Sequence, residues 1–180
     1  MAQFPIAVFI GSLRKDSLNK TLATALEKLF PADFSFNHVR IDDLPQYNQD
    51  DEANPSSEVI RLKGEITAAK GVLFFTPEYN RSIPGVLKNA LDHASRPYGQ
   101  SVWNGKPAGV IGASVSPVGT AAAQQHLRNM LAYLDVPTLG QPEAFIQAKE
   151  GSYPGEGIQA LRIDTPAFTG DVLVSNNEKC

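Results

Sequence analysis

Ile6-Ala7-Val8-Phe9-Ile10 runs directly into Gly11-Ser12-Leu13-Arg14-Lys15-Asp16-Ser17-Leu18-Asn19. Five consecutive apolar residues suit a strand buried on both faces of a covered sheet. Beyond the polar loop, Leu18, Leu22, Leu26 and Leu29 fall on one helical stripe. The unit is a strand, a loop and a helix start. A helix N-terminus presents free N–H groups and a partial positive charge, so anions settle there. Ser12, Ser17, Arg14 and Asn19 add hydroxyls, a guanidinium and an amide. That donor set suits the oxygens of a terminal phosphate monoester.

The same loop lacks G-x-x-x-x-G-K-[ST] and G-x-G-x-x-G. It is neither a nucleoside-triphosphate loop nor the dinucleotide fingerprint, which needs glycines for close backbone approach. Holding by side chains suits a mononucleotide such as FMN. Read alone, Ser12, Ser17 and Asn19 equally suit turn and cap positions.

Composition narrows the classes. A chain of 180 residues with 42% hydrophobic content suits a single soluble domain with a proper core. A net charge of -3 and the lack of any Lys/Arg cluster argue against a nucleic-acid partner. No apolar run approaches the ~18 residues of a membrane span. Met1 to Pro5 carries no basic region, so the short apolar run reads as a first strand rather than a signal peptide. Cys180 is the only cysteine, which makes a cytoplasmic setting the default. His38, His93 and His126 are widely spaced without a ligand pattern. They read as surface or interface residues, and no metal is expected.

Downstream, strand and helix patterns alternate. Pro31 marks a break, and 34–41 reads as a second strand nearer a sheet edge. The polar, acidic stretch 42–56 reads as a long solvated loop. Val59, Leu62, Ile66 and Ala69 mark a second helix, with Gly71 as its stop. Val72 to Phe75 is a third apolar strand. Ser82 suits an N-cap and Pro84 a first turn for a helix carrying Ile83, Val86, Leu87, Ala90, Leu91 and Ala94. A loop over 95–106 contains Arg96 and Trp103. A fourth strand covers 108–111, a small-residue loop 112–120, and a fourth helix carries Leu127, Met130, Leu131 and Leu134. Phe145-Ile146 reads as a short fifth strand.

This alternation predicts an α/β fold with an open, parallel sheet. In the flavodoxin-like order 2-1-3-4-5, ligands bind at the switch point between strands one and three, outside the carboxyl ends. The loops Ser12–Asn19 and Thr76–Arg81 then flank one crevice. In the second loop Pro77 stiffens the chain, and backbone N–H groups of 78–81 can face a flavin ring edge. Tyr79 offers apolar surface and Arg81 a charge that favours the anionic reduced flavin. A plain strand–helix turn with a surface Tyr and Arg is the competing reading. Gly112-Ala113-Ser114-Val115-Ser116 approaches a G-x-S-x-G elbow without its last glycine. Only His126 lies downstream, so Ser114 reads better as a ligand donor than as a hydrolase nucleophile.

Ser12-Leu13-Arg14 with Ser17 and Asn19, the Thr76-Pro77-Glu78-Tyr79-Asn80 loop, and Ile83-Pro84-Gly85 followed by Leu87-Lys88-Asn89-Ala90-Leu91-Asp92 together resemble the NADPH-dependent FMN reductase family. The nearer likeness is to its bacterial quinone and chromate reductases. Gly105-Lys106-Pro107 and Pro142-Glu143 also fit, and the likeness covers about residues 4–147. The resemblance implies a flavodoxin-like, five-stranded parallel sheet with helices on both faces, and non-covalent FMN. It implies that Ser12, Arg14, Ser17 and Asn19 hold the phosphate. Pro77, Glu78, Tyr79, Asn80 and Arg81 would line the ring, and Ser114 would contact it. It further implies a hydride from NADPH or NADH to flavin N5, with no catalytic side chain, and onward transfer to a small-molecule acceptor: quinones, and also azo dyes or chromate. Homodimers, often tetramers, are implied, with the third helix and the 95–104 loop near a neighbouring subunit.

The expected organisation is an FMN-binding domain over 1–150 and an atypical tail over 151–180. Family members usually end in an amphipathic helix. Here Gly151, Pro154, Gly155, Gly157, Pro166 and Gly170 interrupt the tail, and Val172-Leu173-Val174 reads as strand. The rival function is a flavodoxin-type electron carrier without NAD(P)H oxidation of its own. A carrier wants a strongly acidic docking face, and -3 is modest.

Overall fold

The computed structural model describes residues 4–148, 160–165 and 168–173. Strand β1 (Phe4–Ile10) leads through the polar loop into α1 (Leu18–Glu27). Then follow β2 (Phe34–His38), α2 (Ser57–Ala68), β3 (Gly71–Phe75), α3 (Gly85–Ala94), β4 (Ala108–Ser114), α4 (Ala121–Tyr133) and β5 (Phe145–Gln147). The five strands form one parallel sheet in the order β2-β1-β3-β4-β5. The expected order is the observed one. Two further strands, β6 (Ala160–Thr165) and β7 (Phe168–Leu173), pair antiparallel as a separate ladder. Val172 and Leu173 fall in that ladder, whereas Val174 and the tail's Gly151, Pro154, Gly155, Gly157 and Pro166 lie outside the described residues.

The continuous apolar runs follow from burial on both faces. Ala7, Phe9, Val72, Phe74, Ala108 and Val110 face a core built with α2, α3 and α4. Their alternates Ile6, Val8, Leu73, Phe75, Ile111 and Ala113 face a second core built with α1. Side chains alternate across a strand, so a strand covered twice has no polar position to spare. Phe9, Phe74 and Trp103 pack with centroids 5.3 to 5.9 Å apart. Trp103, expected only as part of a loop, is fully buried and donates its indole N–H to Leu91 O at 3.1 Å.

Several boundaries differ from expectation. The second strand ends at His38 rather than 41. Val39 still donates its N–H to Val8 O at 2.9 Å, and beyond it the chain turns away, with Val39 and Ile41 buried in the core that α2 and α3 share. The loop over 42–56 contains one 3-10 turn, Gln49–Asp51. Gly71 does not stop α2, which ends at Ala68. It opens β3 opposite Ile6, where a fully buried strand tolerates a missing side chain. Ser82 is not the cap of α3. Pro84 holds that position without a side-chain bond, and the Ser82 hydroxyl meets His126 Nδ1 at 2.8 Å. His93 is buried rather than superficial, with Nε2 on Pro45 O. The fourth strand runs three residues further, through Gly112-Ala113-Ser114.

Gly112 shows why that extension must be built from small residues. A Cβ there would stand 2.1 Å from Thr120 Oγ1 and 2.2 Å from Thr76 O. Gly64, in the middle of α2, has no neighbour within 4 Å of its would-be Cβ. We therefore expect opposite outcomes from one change at two sites in urea denaturation. G112A should cost about 3 kcal/mol through overpacking. G64A should stabilise by about 0.5–1 kcal/mol through helix propensity and unfolded-state entropy.

Candidate functional site

Three loops meet at the carboxyl ends of β1, β3 and β4, beside the point where the strand order reverses. In the first, Ser17 caps α1: its Oγ accepts from Lys20 N at 3.2 Å, which leaves the hydroxyl hydrogen free to donate. The Leu18 and Asn19 N–H groups have no partner among the described residues, and α1 carries no acid in its first turn. Ser12 Oγ receives only the Arg14 N–H, at 3.4 Å. The Arg14 side chain is exposed and makes no bond among the described residues. Two hydroxyls, two N–H groups and an uncompensated guanidinium thus lie within eight residues at one helix start. This is what a dianionic phosphate requires.

Asn19 is placed differently from its three companions. It is 2% exposed. Its Nδ2 donates to Ala113 O and its Oδ1 accepts from Ala113 N, both at 3.0 Å. One amide thereby satisfies both backbone groups of a β4 residue and fixes the start of α1 against that strand. A single Nδ2 hydrogen is left for anything else.

The second loop makes a tight reversal. Tyr79 and Ser82 exchange both backbone bonds, at 2.9 and 3.0 Å, around Asn80 (φ 51°) and Arg81 (φ 65°). Positive φ at both central residues marks a two-residue type I′ turn, a tight reversal usually given to glycine or asparagine. Of the N–H groups 78–81 expected to face a ring, that of Tyr79 is spent within the turn. Those of Glu78, Asn80 and Arg81 carry no backbone bond. Pro77 is buried, and its ring carbon would meet any Cβ at Gly11 at 3.2 Å, so the first two loops touch. Glu78 is nearly buried: Oε1 holds Arg81 at 2.9 Å and Oε2 accepts Ala123 N–H at 3.1 Å.

The third loop is closed by Ser114. Its Oγ donates to Gly119 O at 2.6 Å and accepts Ser116 N–H at 3.2 Å. Gly119 has φ +64°, and a Cβ there would lie 2.8 Å from the Phe145 backbone. Ser114 has no histidine beside it. The histidine of this region, His126, is on Ser82. The arrangement of a serine hydrolase is therefore missing among the described residues.

Four of the large apolar side chains left exposed, Leu13, Tyr79, Val115 and Val118, lie on these three loops. An anion-receiving helix start at one side and an apolar rim with free N–H groups at the other fit a flat ring carrying a phosphate tail, as in FMN. Ser12, Arg14 and Ser17 would hold the tail. The 77–81 and 114–119 loops would edge the ring. Sequence reading did not find the tie from Glu78 to Ala123. Its signal was present: Thr120 is followed by no acid at the capping-box position, so α4 lacks a local cap and needs a remote one.

The family model described as NADPH-dependent FMN reductase matches residues 4–151. A 2-hydroxy-1,4-benzoquinone reductase of a Burkholderia species is 55% identical over 84% of this chain and 83% of its own. A quinone reductase of Escherichia coli K12 is 39% identical over 88% of this chain and 87% of its own. Among solved structures, a flavoenzyme NAD(P)H:(acceptor) oxidoreductase from Paracoccus denitrificans superposes with a TM-score of 0.81. It is 48% identical and covers 84% of this chain and 83% of that one. A mutant flavodoxin from Pseudomonas aeruginosa, 21% identical with a TM-score of 0.54 over 81% of this chain and 85% of that one, shares the fold alone.

The Asn19 bracket yields a stability test. N19A strands the N–H and C=O of Ala113 in the interior and should cost about 2–4 kcal/mol, from two buried groups at ~1–3 kcal/mol each with partial relief by water. The midpoint of urea denaturation of the FMN-free chain measures it.

Proposed function

The chain belongs to the NADPH-dependent FMN reductase family, and we propose that it oxidises NADPH or NADH and passes the electrons to small quinones through FMN bound across the three loops. The observation that carries this reading is the coincidence of an uncompensated anion site at α1 with an apolar, N–H-bearing rim supplied by the 77–81 and 114–119 loops. Bound FMN supplies the hydride acceptor; the chain binds, orients and shields it. Ser12, Arg14 and Ser17 fix the phosphate. The Asn80 and Arg81 N–H groups orient the ring edge. Tyr79, Val115 and Val118 exclude water from the ring margin, and Asn19 keeps the phosphate end and the ring end in register. No side chain is asked to act as a general acid or base. The electron-carrier reading is disfavoured by the modest net charge of -3 and by relatives named as reductases.

The working unit we propose is a homodimer. The C-terminal half of α3, the 95–104 loop and α4 enclose an open groove of about 680 Å³, on which Tyr98 and Tyr133 are more than four-fifths exposed. Two aromatic rings left in solvent beside one concave surface suit a second copy of this chain. The FMN-binding unit is residues 1–150, and its setting is the cytoplasm, where reduced nicotinamide nucleotides are supplied. No helix among the described residues is long and apolar enough to cross a membrane.

An anaerobic spectrum tests the reaction. FMN-loaded protein should bleach with NADPH or NADH and recover on adding a benzoquinone; bound FMN that neither nucleotide bleaches would leave a carrier. Arg14 offers a finer test. R14A should weaken FMN binding by about 1.5–3 kcal/mol, the range of a hydrogen bond to a charged group. Fluorescence titration of the FMN-free chain reads that loss, and an unchanged Kd would remove Arg14 from the phosphate site. Y98E with Y133E should shift the elution volume of the protein to that of a monomer; an unchanged volume would place the subunit contact elsewhere.

A further inference from the structure

Resting on the FMN reading above, we propose that Glu78 is a positioning residue rather than a cofactor ligand. It acts through Arg81 and the α4 N-terminus, and its charge sets how readily bound FMN is reduced.

Both carboxylate oxygens already have donors. Oε2 takes the N–H of Ala123, the third residue of α4. Oε1 takes the Arg81 guanidinium across the Tyr79–Ser82 turn. The side chain is 10% exposed, so it is aimed inward at these partners. Helix α4 has no side-chain cap at Thr120 and no acid in its first turn. Glu78 is therefore the negative charge that answers the positive end of that helix. Arg81 sits at positive φ, a conformation that costs a non-glycine residue. Its side chain is 74% exposed, and its one bond among the described residues is to Glu78. The carboxylate thus fastens an unfavourable turn to a helix start 45 residues away.

The charges make this arrangement more than a brace. Arg81 and the end of α4 are two positive features at the loop that edges the ring. Glu78 lies between them and cancels most of their field. Reduction at pH 7 puts negative charge on the flavin, so uncovered positive charge nearby favours reduction and a buried carboxylate opposes it. The loop is tuned to a near-neutral pair.

Gln keeps the capping acceptor for Ala123 N–H but removes the charge; Ala removes both. In FMN-loaded protein, E78Q should shift the two-electron equilibrium about tenfold toward the reduced form, or about +30 mV. R81M should shift it the other way, and E78Q with R81M should return near the wild-type value. In the FMN-free chain, E78Q should melt about 1–2 °C below the wild type for the loss of the Arg81 pair, and E78A about 3 °C lower again for the loss of the cap. A purely structural Glu78 would leave the potentials unmoved, and unmoved potentials in FMN-loaded variants overturn this inference alone. E78Q that loses FMN more than a hundredfold without a larger change in melting would make Glu78 a direct ligand, which also overturns it. Wild-type protein that retains no FMN overturns the cofactor reading and this inference together.

Discussion

A parallel sheet forbids hairpins between neighbouring strands, and this constraint shapes the whole carboxyl edge of the molecule. Each of the first four strands is followed by a crossover helix, so the loops that meet at the switch point are remote in sequence. Among the described residues no backbone ladder joins them. Side chains do it instead: Asn19 reaches Ala113 across 94 residues, and Glu78 reaches Ala123 across 45. Ser114 closes its own loop onto Gly119. Each of these groups is polar and largely withdrawn from water, and losing its partner would be costly. These three side chains brace the frame of the site by bonding to the backbone of neighbouring segments, while Ser12, Arg14 and Ser17 keep donors free among the described residues.

This explains what could be read beforehand and what could not. The apolar runs at 6–10 and 72–75 revealed a doubly covered sheet, because covering both faces removes polar alternation. The flavodoxin-like order is the premise that places the two unusual loops beside one crevice, and the observed order is that one. By contrast, Gly112-Ala113-Ser114 read as a loop, since small residues signal turns when neighbours are unknown. Its smallness answers Thr76 and Thr120, which only the folded chain brings to within 2.2 Å of a would-be side chain. Gly71 misled for the same reason. Ser82 looked like a cap because a hydroxyl before Pro84 is locally favourable. His126, 44 residues on, competes for that hydroxyl and takes it.

Residue type marks the candidate site more readily than it assigns roles within it. Serine, asparagine and glutamate at a loop are legible as polar groups near a ligand. Whether each faces the ligand or a neighbour depends on packing. Ser17 and Asn19, two residues apart and both buried, divide in this way. Ser17 keeps a hydroxyl hydrogen to give, while Asn19 is held on both sides by β4. The i to i+2 spacing at a helix start points one toward the axis end and the other into the sheet.

The two ends of the crevice also differ in charge. At α1 the helix start and Arg14 carry no balancing acid among the groups they contact, whereas at the 77–81 loop Arg81 and the α4 start share Glu78. A phosphate monoester brings close to two permanent negative charges and must be met by permanent positive ones. An oxidised isoalloxazine brings none, and gains negative charge only when reduced. A full positive field at the ring would hold it reduced and slow its discharge to an acceptor; a fully cancelled one would slow its loading. One carboxylate set against two positive features, the Arg81 guanidinium and the α4 start, lies between these limits, because it cancels most of their field and leaves a small remainder. Anchoring and turnover thus ask opposite things of the same kind of helix start. On the proposed reading the chain meets both by leaving one start open and closing the other with a carboxylate from the neighbouring loop.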